Sequence, residues 1–293
     1  FIGDVIASGG VSPLVRVDGT SPPPESLHPE LPGYRGARPV RFGNAAAGQL
    51  QVDVAGEVLE LARALAHSDS LPASLASAVT PLAHWLVDSW QVPDHGIWEI
   101  RGAAREYTHS RVMAWVGLTS AAEIVEHTEG YVRRDDASLW RRTAEAIRTA
   151  TTPPGGIPMQ LRVDGGGADA SLSVAVMNGF LDPGSTTAAA TLDLIARDLD
   201  DHGMLQRYQG TQDELADPCA PFVFPSFWMA SAEAAAGRDS TRRLEAAVSA
   251  AGELGLFGEV RDPATGGPLG NYPQVQSHAA LIQSLTVLPS LRW

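Results

Sequence analysis

From Asn44 onward, apolar residues recur at helical spacing. Leu50, Val54, Val58, Leu61 and Leu65 lie four, four, three and four residues apart, which draws one stripe along an amphipathic helix. Val79, Leu82, Leu86 and Trp90 mark a second helix. Val112, Val116 and Ile124 mark a third over about 108–126, and a fourth follows over about 137–150. Thr151-Thr152-Pro153-Pro154-Gly155-Gly156 ends that run, because neither proline nor paired glycine continues a helix. Residues 157–163 read as a short strand, and Gly165-Gly166-Gly167 as a turn. Helical segments are then expected over about 168–179, 186–200, 225–237, 240–256 and 274–288. The first residues, Phe1-Ile2-Gly3-Asp4-Val5-Ile6, resemble the end of an apolar helix, so the natural chain is expected to begin upstream of Phe1.

The intervening segments are long and rich in glycine and proline. Residues 9–43 hold Ser21-Pro22-Pro23-Pro24 and Pro29-Glu30-Leu31-Pro32, where fixed φ angles and missing donors forbid a helix. Strand alternation is nearly absent elsewhere. An all-α plan follows, with helices joined alternately by short turns and long loops. Long ordered loops in a compact domain usually carry function. No repeat in side-chain identity is present, which disfavours a solenoid.

Composition narrows the chemistry. Hydrophobic residues make up 44% of the 293-residue chain and charged residues 19%, as in a globular protein. A formal charge of −13 disfavours a nucleic-acid partner, which needs a clustered basic face. All 21 basic residues are arginines, which removes lysine Schiff bases and phosphate-loop lysines. The single cysteine, Cys219, rules out internal disulfides. The eight histidines form no HExxH pair, so no metal is expected. No apolar run is long enough to span a bilayer, so no membrane partner is expected either, and a cytoplasmic location is the expectation.

Two loops carry similar acids. In Gly96-Ile97-Trp98-Glu99-Ile100-Arg101-Gly102 and in Leu256-Phe257-Gly258-Glu259-Val260-Arg261-Asp262-Pro263, a glutamate sits near bulky apolar residues with an arginine two positions later. Apolar neighbours penalise the charged form of an acid, which suits a proton donor near neutral pH. Two carboxylates in different surroundings can divide the work of glycoside hydrolysis, one as acid and one as base. Tyr34 and Trp98, in or beside predicted loops, are the aromatics best placed to meet a sugar. Trp115 and Trp228, at helical spacing, are expected in the core.

Four blocks in order resemble glycoside hydrolase family 15, the glucoamylase and bacterial trehalase family. They are the run from Leu31-Pro32-Gly33-Tyr34-Arg35 through Gly43-Asn44 to Asp53; Gly96 to Gly102 with Thr108-His109-Ser110-Arg111-Val112-Met113; Ser226-Phe227-Trp228; and Asp262 to Gly266 with Leu269-Gly270-Asn271-Tyr272-Pro273-Gln274 and Ser277-His278. The resemblance implies one (α/α)6 barrel domain over 1–293 that lacks its first helices and any preceding β-sandwich. It implies inverting hydrolysis of an α-glucosidic bond, with Glu99 as general acid and Glu259 as general base. It further implies that Tyr34, Arg35, Trp98, Arg101 and Arg105 line the substrate cleft. The implied partner is a carbohydrate. No cofactor is implied for most members, and phosphate and magnesium for some trehalases. A non-catalytic sugar-binding remnant and a phosphorylase on the same fold remain alternatives. The chain departs from the family pattern in lacking a Trp-x-Arg-Asp segment and in placing Val260, not an acid or amide, after the base.

Overall fold

A computed structural model of the protein describes residues 1–9, 12–127, 134–209 and 220–287. Its α-helices are α1 (Ile2–Gly9), α2 (Asp53–His67), α3 (Ala73–Ser89), α4 (Thr108–His127), α5 (Arg134–Thr151), α6 (Ser173–Met177), α7 (Thr186–Leu199), α8 (Val223–Ala235), α9 (Thr241–Val248) and α10 (Val275–Val287). Three two-stranded antiparallel ribbons accompany them: β1 (Ser26–His28) with β2 (Val40–Phe42), β3 (Asp200–Asp201) with β4 (Met204–Leu205), and β5 (Val260–Arg261) with β6 (Pro268–Leu269). Among the described residues the chain is therefore all-α in its core. Helices expected from periodicity over 50–65, 108–126, 137–150, 186–200, 225–237 and 274–288 are present within a few residues of the expected limits. Cys219 lies outside the described residues.

Three expectations change. Residues 157–163 form no strand and hold only isolated bridges at Arg162. The segment expected as one helix over 168–179 is a 3-10 turn, Ala170–Leu172, followed by the five-residue α6. Asp169 explains the turn, since its Oδ1 accepts from both the backbone N–H and the hydroxyl of Ser171 at 2.9 and 2.8 Å, a local bond that competes with helix. The helix expected to run to about residue 256 stops at Val248. There the Gly252 N–H donates to Leu256 O at 2.8 Å, and the Gly255 N–H donates to Gly252 O at the same distance. Trp228 and Trp115, expected as core, are half-buried.

The chain divides into two compact units. The first comprises 1–99, 103–105 and 113–147. Here α2 buries Ala55, Leu59 and Ala62, α3 buries Leu75, Val79, Leu82 and Leu86, and α5 buries Trp140, Ala144 and Ile147. Each set keeps the i, i+3/i+4, i+7 spacing that defines a buried stripe. Helix α5 opens on Asp135 and Asp136, where acids complement the helix dipole. The α2 and α4 backbones approach closely at glycines. A Cβ on Gly56 would strike Met113 O, and one on Gly117 would lie 2.9 Å from Gly56 Cα.

The second unit comprises 100–102, 106–112 and 148–293. Its centre is α8, buried over most of its length from Val223 to Ala232. On one side Ser231 Oγ donates to Ser284 Oγ of α10 at 2.9 Å. On another, Arg243 of α9 pairs with Glu233 of α8 at 3.1 Å and with Asp200 at 3.1 Å. The buried guanidinium also donates to Gly203 O, so its charge is met on several sides, as burial requires.

The Gly56 contact gives a stability prediction. Alanine gains about 1 kcal/mol of helix propensity over glycine, but its Cβ meets backbone, which cannot rotate away, and overpacking costs about 1–3 kcal/mol. Gly56→Ala is thus expected to lower the midpoint of urea or thermal unfolding. An unchanged or raised midpoint would show that α2 and α4 separate at little cost.

Candidate active site

Glu99 and the residues before it belong to the first unit, where they are tied to the segment that leads into α2. Asp94 and Arg105 exchange backbone hydrogen bonds at 2.9 and 2.8 Å, and the His95 N–H donates to Leu50 O at 3.0 Å. Asp94 Oδ2 accepts from the Val52 N–H at 2.9 Å. Asp53, the first residue of α2, is buried beside it. Burial, with the carboxylates of Glu57 and Asp94 nearby, holds its carboxyl well above the usual carboxylate range.

At the tip, Gly96 has φ +64° and Glu99 φ +54°. A glutamate gains nothing from left-handed backbone, which costs about 1–3 kcal/mol for a residue with a Cβ, and such outliers cluster at functional sites. The turn closes through the Glu99 N–H on Gly96 O at 3.2 Å. Gln49 Nε2 donates to Glu99 O, and Asn44 Nδ2 donates to Glu99 Oε2, both at 3.2 Å. Glu99 is half-buried, and its chain neighbours Trp98 and Ile100 are buried. Its Oε1 takes no hydrogen bond among the described residues.

Asn44 reaches Glu99 because of its own loop. The chain passes from β2 through Gly43 at φ +74° into a 3-10 turn, Ala45–Gly48, which Asn44 caps. Asn44 Oδ1 accepts from the Ala46 N–H at 2.9 Å, so the amide nitrogen faces the glutamate. Upstream, Tyr34–Gly36 is a 3-10 turn with Tyr34 66% exposed. Two of that loop's arginines are structural. Arg41 pairs with Glu25 at 2.6 Å, and Arg38 Nη1 donates to Pro29 O at 2.7 Å.

The Glu259 loop belongs to the second unit and is gripped along its backbone. The Glu259 N–H donates to Asn271 O at 3.0 Å, and Glu259 O accepts from the Val223 N–H at 3.0 Å, at the start of α8. One residue earlier Ser277 Oγ donates to Gly258 O at 2.9 Å. His278 fixes the approach. Its Nδ1 lies 2.7 Å from Gln274 O, a pure acceptor, so Nδ1 carries the proton and Nε2 accepts from the Phe257 N–H at 3.3 Å. The Glu259 side chain is half-buried, and its Oε2 accepts from the backbone N–H and from Nδ2 of Asn271 at 3.1 and 3.0 Å. Arg261, two residues after Glu259, braces the loop by donating from Nε to Gly266 O.

The sequence-predicted residues are thus distributed. Glu99, Trp98, Tyr34 and Arg105 belong to the first unit, and Arg101 and Glu259 to the second. Trp98, expected to offer a sugar-facing ring, is only 7% exposed. Arg105 is exposed and Arg101 half-buried. Arg35 lies in the Tyr34–Gly36 turn, its side chain outside what is described. Asn44 and Asn271 were not singled out from sequence, although both stand inside the quoted blocks as Gly-Asn pairs. Among the described residues no group of three or more His, Cys, Asp or Glu side chains gathers as a metal site requires, and no helix is long and apolar enough to cross a membrane.

His109, in the first turn of α4, is buried, and burial alone lowers its pKa to about 3. In the unfolded chain an imidazole titrates near 6.5. Below that pH the unfolded state takes up a proton that the folded state refuses down to about pH 3. Stability therefore falls as pH drops through this window, by up to about 1.4 kcal/mol per pH unit. His109→Gln is expected to flatten the loss of stability between about pH 6 and pH 4, read from urea midpoints. An equally steep loss would show that His109 accepts a proton in the fold.

Comparison with known proteins places the chain among carbohydrate-active proteins. The sequence model of glycosyl hydrolases family 15 matches residues 5–286. The chain is 35% identical over 270 residues to a trehalase of Mycolicibacterium smegmatis, covering 89% of this chain and 40% of that protein. It is 30% identical over 287 residues to trehalase 1 of Sulfolobus acidocaldarius, covering 95% and 49%. It thus spans less than half the length of these curated relatives. A solved wild-type glycosidase superposes with a TM-score of 0.71 at 20% identity, over 90% of this chain and 75% of that one. That likeness concerns the fold, which agrees with the all-α, (α/α)6 class expected from sequence.

Proposed function

The chain belongs to glycosyl hydrolase family 15, and from that premise we propose that it hydrolyses a terminal α-glucosidic bond, with trehalose as the substrate of choice. The observation that carries the reading is the pair of half-buried glutamates, each held by an asparagine through Oε2 and each with Oε1 open among the described residues. The trehalases among its relatives supply the choice of sugar.

Glu99 is the general acid. Its Oε1 donates a proton to the glucosidic oxygen as the bond from that oxygen to C1 breaks. Glu259 is the general base. Its Oε1 takes a proton from water, whose oxygen bonds to C1 from the opposite face. Protons balance: one leaves Glu99, one arrives on Glu259, and bulk water restores both. The left-handed backbone at Glu99 and the two-sided grip on Glu259 favour this assignment over a pair of solvated surface acids, because neither arrangement benefits a side chain with no task. Tyr34, Arg35, Trp98, Arg101 and Arg105 are proposed as substrate contacts. Trp98, being buried, would act by backing Glu99 more than by presenting a ring. No step runs through a metal or phosphate.

Glu99→Gln and Glu259→Gln each keep shape and remove the ionisable group. Each is expected to cut turnover of trehalose by at least about 1,000-fold, as losing a group essential to proton transfer does, with the thermal midpoint nearly unchanged. Turnover that survives either substitution would remove that residue from the mechanism.

A further inference from the structure

Taking Glu99 and Glu259 as acid and base, we propose that Asn44 and Asn271 are positioning residues: each anchors one carboxylate at Oε2 and leaves Oε1 to the reacting proton or water. The two anchors share a design. Each asparagine follows a glycine with left-handed backbone, Gly43 at φ +74° and Gly270 at φ +75°. A Cβ would be crowded at either glycine. At Gly43 it would meet Pro23 O and Pro24 O at 2.7 and 2.8 Å, and at Gly270 it would meet Glu259 Oε2 at 2.8 Å. The Glu259 carboxylate therefore lies directly over the Gly270 backbone, in the space a side chain would take.

The anchors differ in the number of donors they supply. Glu99 Oε2 takes one donor, Asn44 Nδ2 at 3.2 Å. Glu259 Oε2 takes two from Asn271, the backbone N–H at 3.1 Å and Nδ2 at 3.0 Å. Donors aimed at one carboxylate oxygen fix the orientation of the group, so each glutamate turns its other oxygen, Oε1, to the reacting atoms. Asn44 also caps the 3-10 turn through Oδ1, so a purely structural role has to be separated from positioning.

Aspartate makes that separation. Asn44→Asp keeps the capping oxygen and loses the donor, and Asn271→Asp keeps the backbone donor and loses Nδ2. The test uses the full chain and two readouts. Crystal structures of the parent and of Asn271→Ala are compared at the Glu259 carboxylate. Steady-state kcat and KM on trehalose are measured for Asn44→Asp, Asn271→Asp and Asn271→Ala, each with its thermal midpoint. In Asn271→Ala the Glu259 carboxylate is expected to leave its place over Gly270. In all three variants kcat is expected to fall about 10- to 100-fold with KM changed less than about 3-fold, the loss of one charge-assisted hydrogen bond, and the thermal midpoint to stay near the parent's. A Glu259 carboxylate that keeps its place over Gly270 overturns the proposal whether or not the chain turns over trehalose, as does an unchanged kcat in Asn44→Asp. If the Glu→Gln variants keep full turnover while the carboxylate still moves in Asn271→Ala, the acid and base assignment fails and the anchoring stands.

Discussion

Each glutamate depends on the hydrogen bonds that fix the backbone of its own loop. A long connection between helices must pair its N–H and C=O groups somewhere, and a loop that leaves them to water wanders. The Glu259 segment settles this on both flanks, with Asn271 on one side and Val223 on the other. The Glu99 segment settles it through the Asp94–Arg105 pair, the His95 bond to Leu50 and Gln49 on the Glu99 carbonyl. Only with the backbone fixed in this way does one side-chain amide suffice to aim a carboxylate.

The helices supply the fixed points from which those loops hang. Helix α8 starts at Val223, whose N–H already holds Glu259 O, so the buried centre of the second unit and the acid loop share an atom-to-atom link. Ser277, in the first turn of α10, holds Gly258. In the first unit, Asp94 accepts from Val52 at the entry to α2, so the start of that helix and the base of the Glu99 loop are set together. Packing of glycine against backbone, as at Gly56 and Met113, then fixes the helices that carry them.

Much of this was legible in the sequence, for identifiable reasons. Long helices announce themselves because a buried stripe repeats every three or four residues, as along α2 and α7. Short elements do not. The Asp169–Ser171 bond that turns an expected helix into a 3-10 turn, and the Gly252–Leu256 closure that ends α9, leave no periodic trace. The same holds at the site. Glu99 and Glu259 stood out by their loops and by the family blocks around them. Asn44 and Asn271 did not, because an amide's partner is decided by tertiary approach, and a Gly-Asn pair reads from sequence as any turn. Trp98 looked like a sugar platform because it neighbours the acid, yet alternation along the loop turns it inward.

The central claim is that Glu99 and Glu259 act on opposite faces of a glucosidic carbon. Proton NMR of the anomeric region during the first minutes of α,α-trehalose hydrolysis tests it most directly. Attack by water opposite the leaving oxygen inverts one glucose and leaves the other untouched, so β- and α-glucose are expected in equal amounts before mutarotation blurs them. Initial release of α-glucose alone would mean retention and would contradict the account.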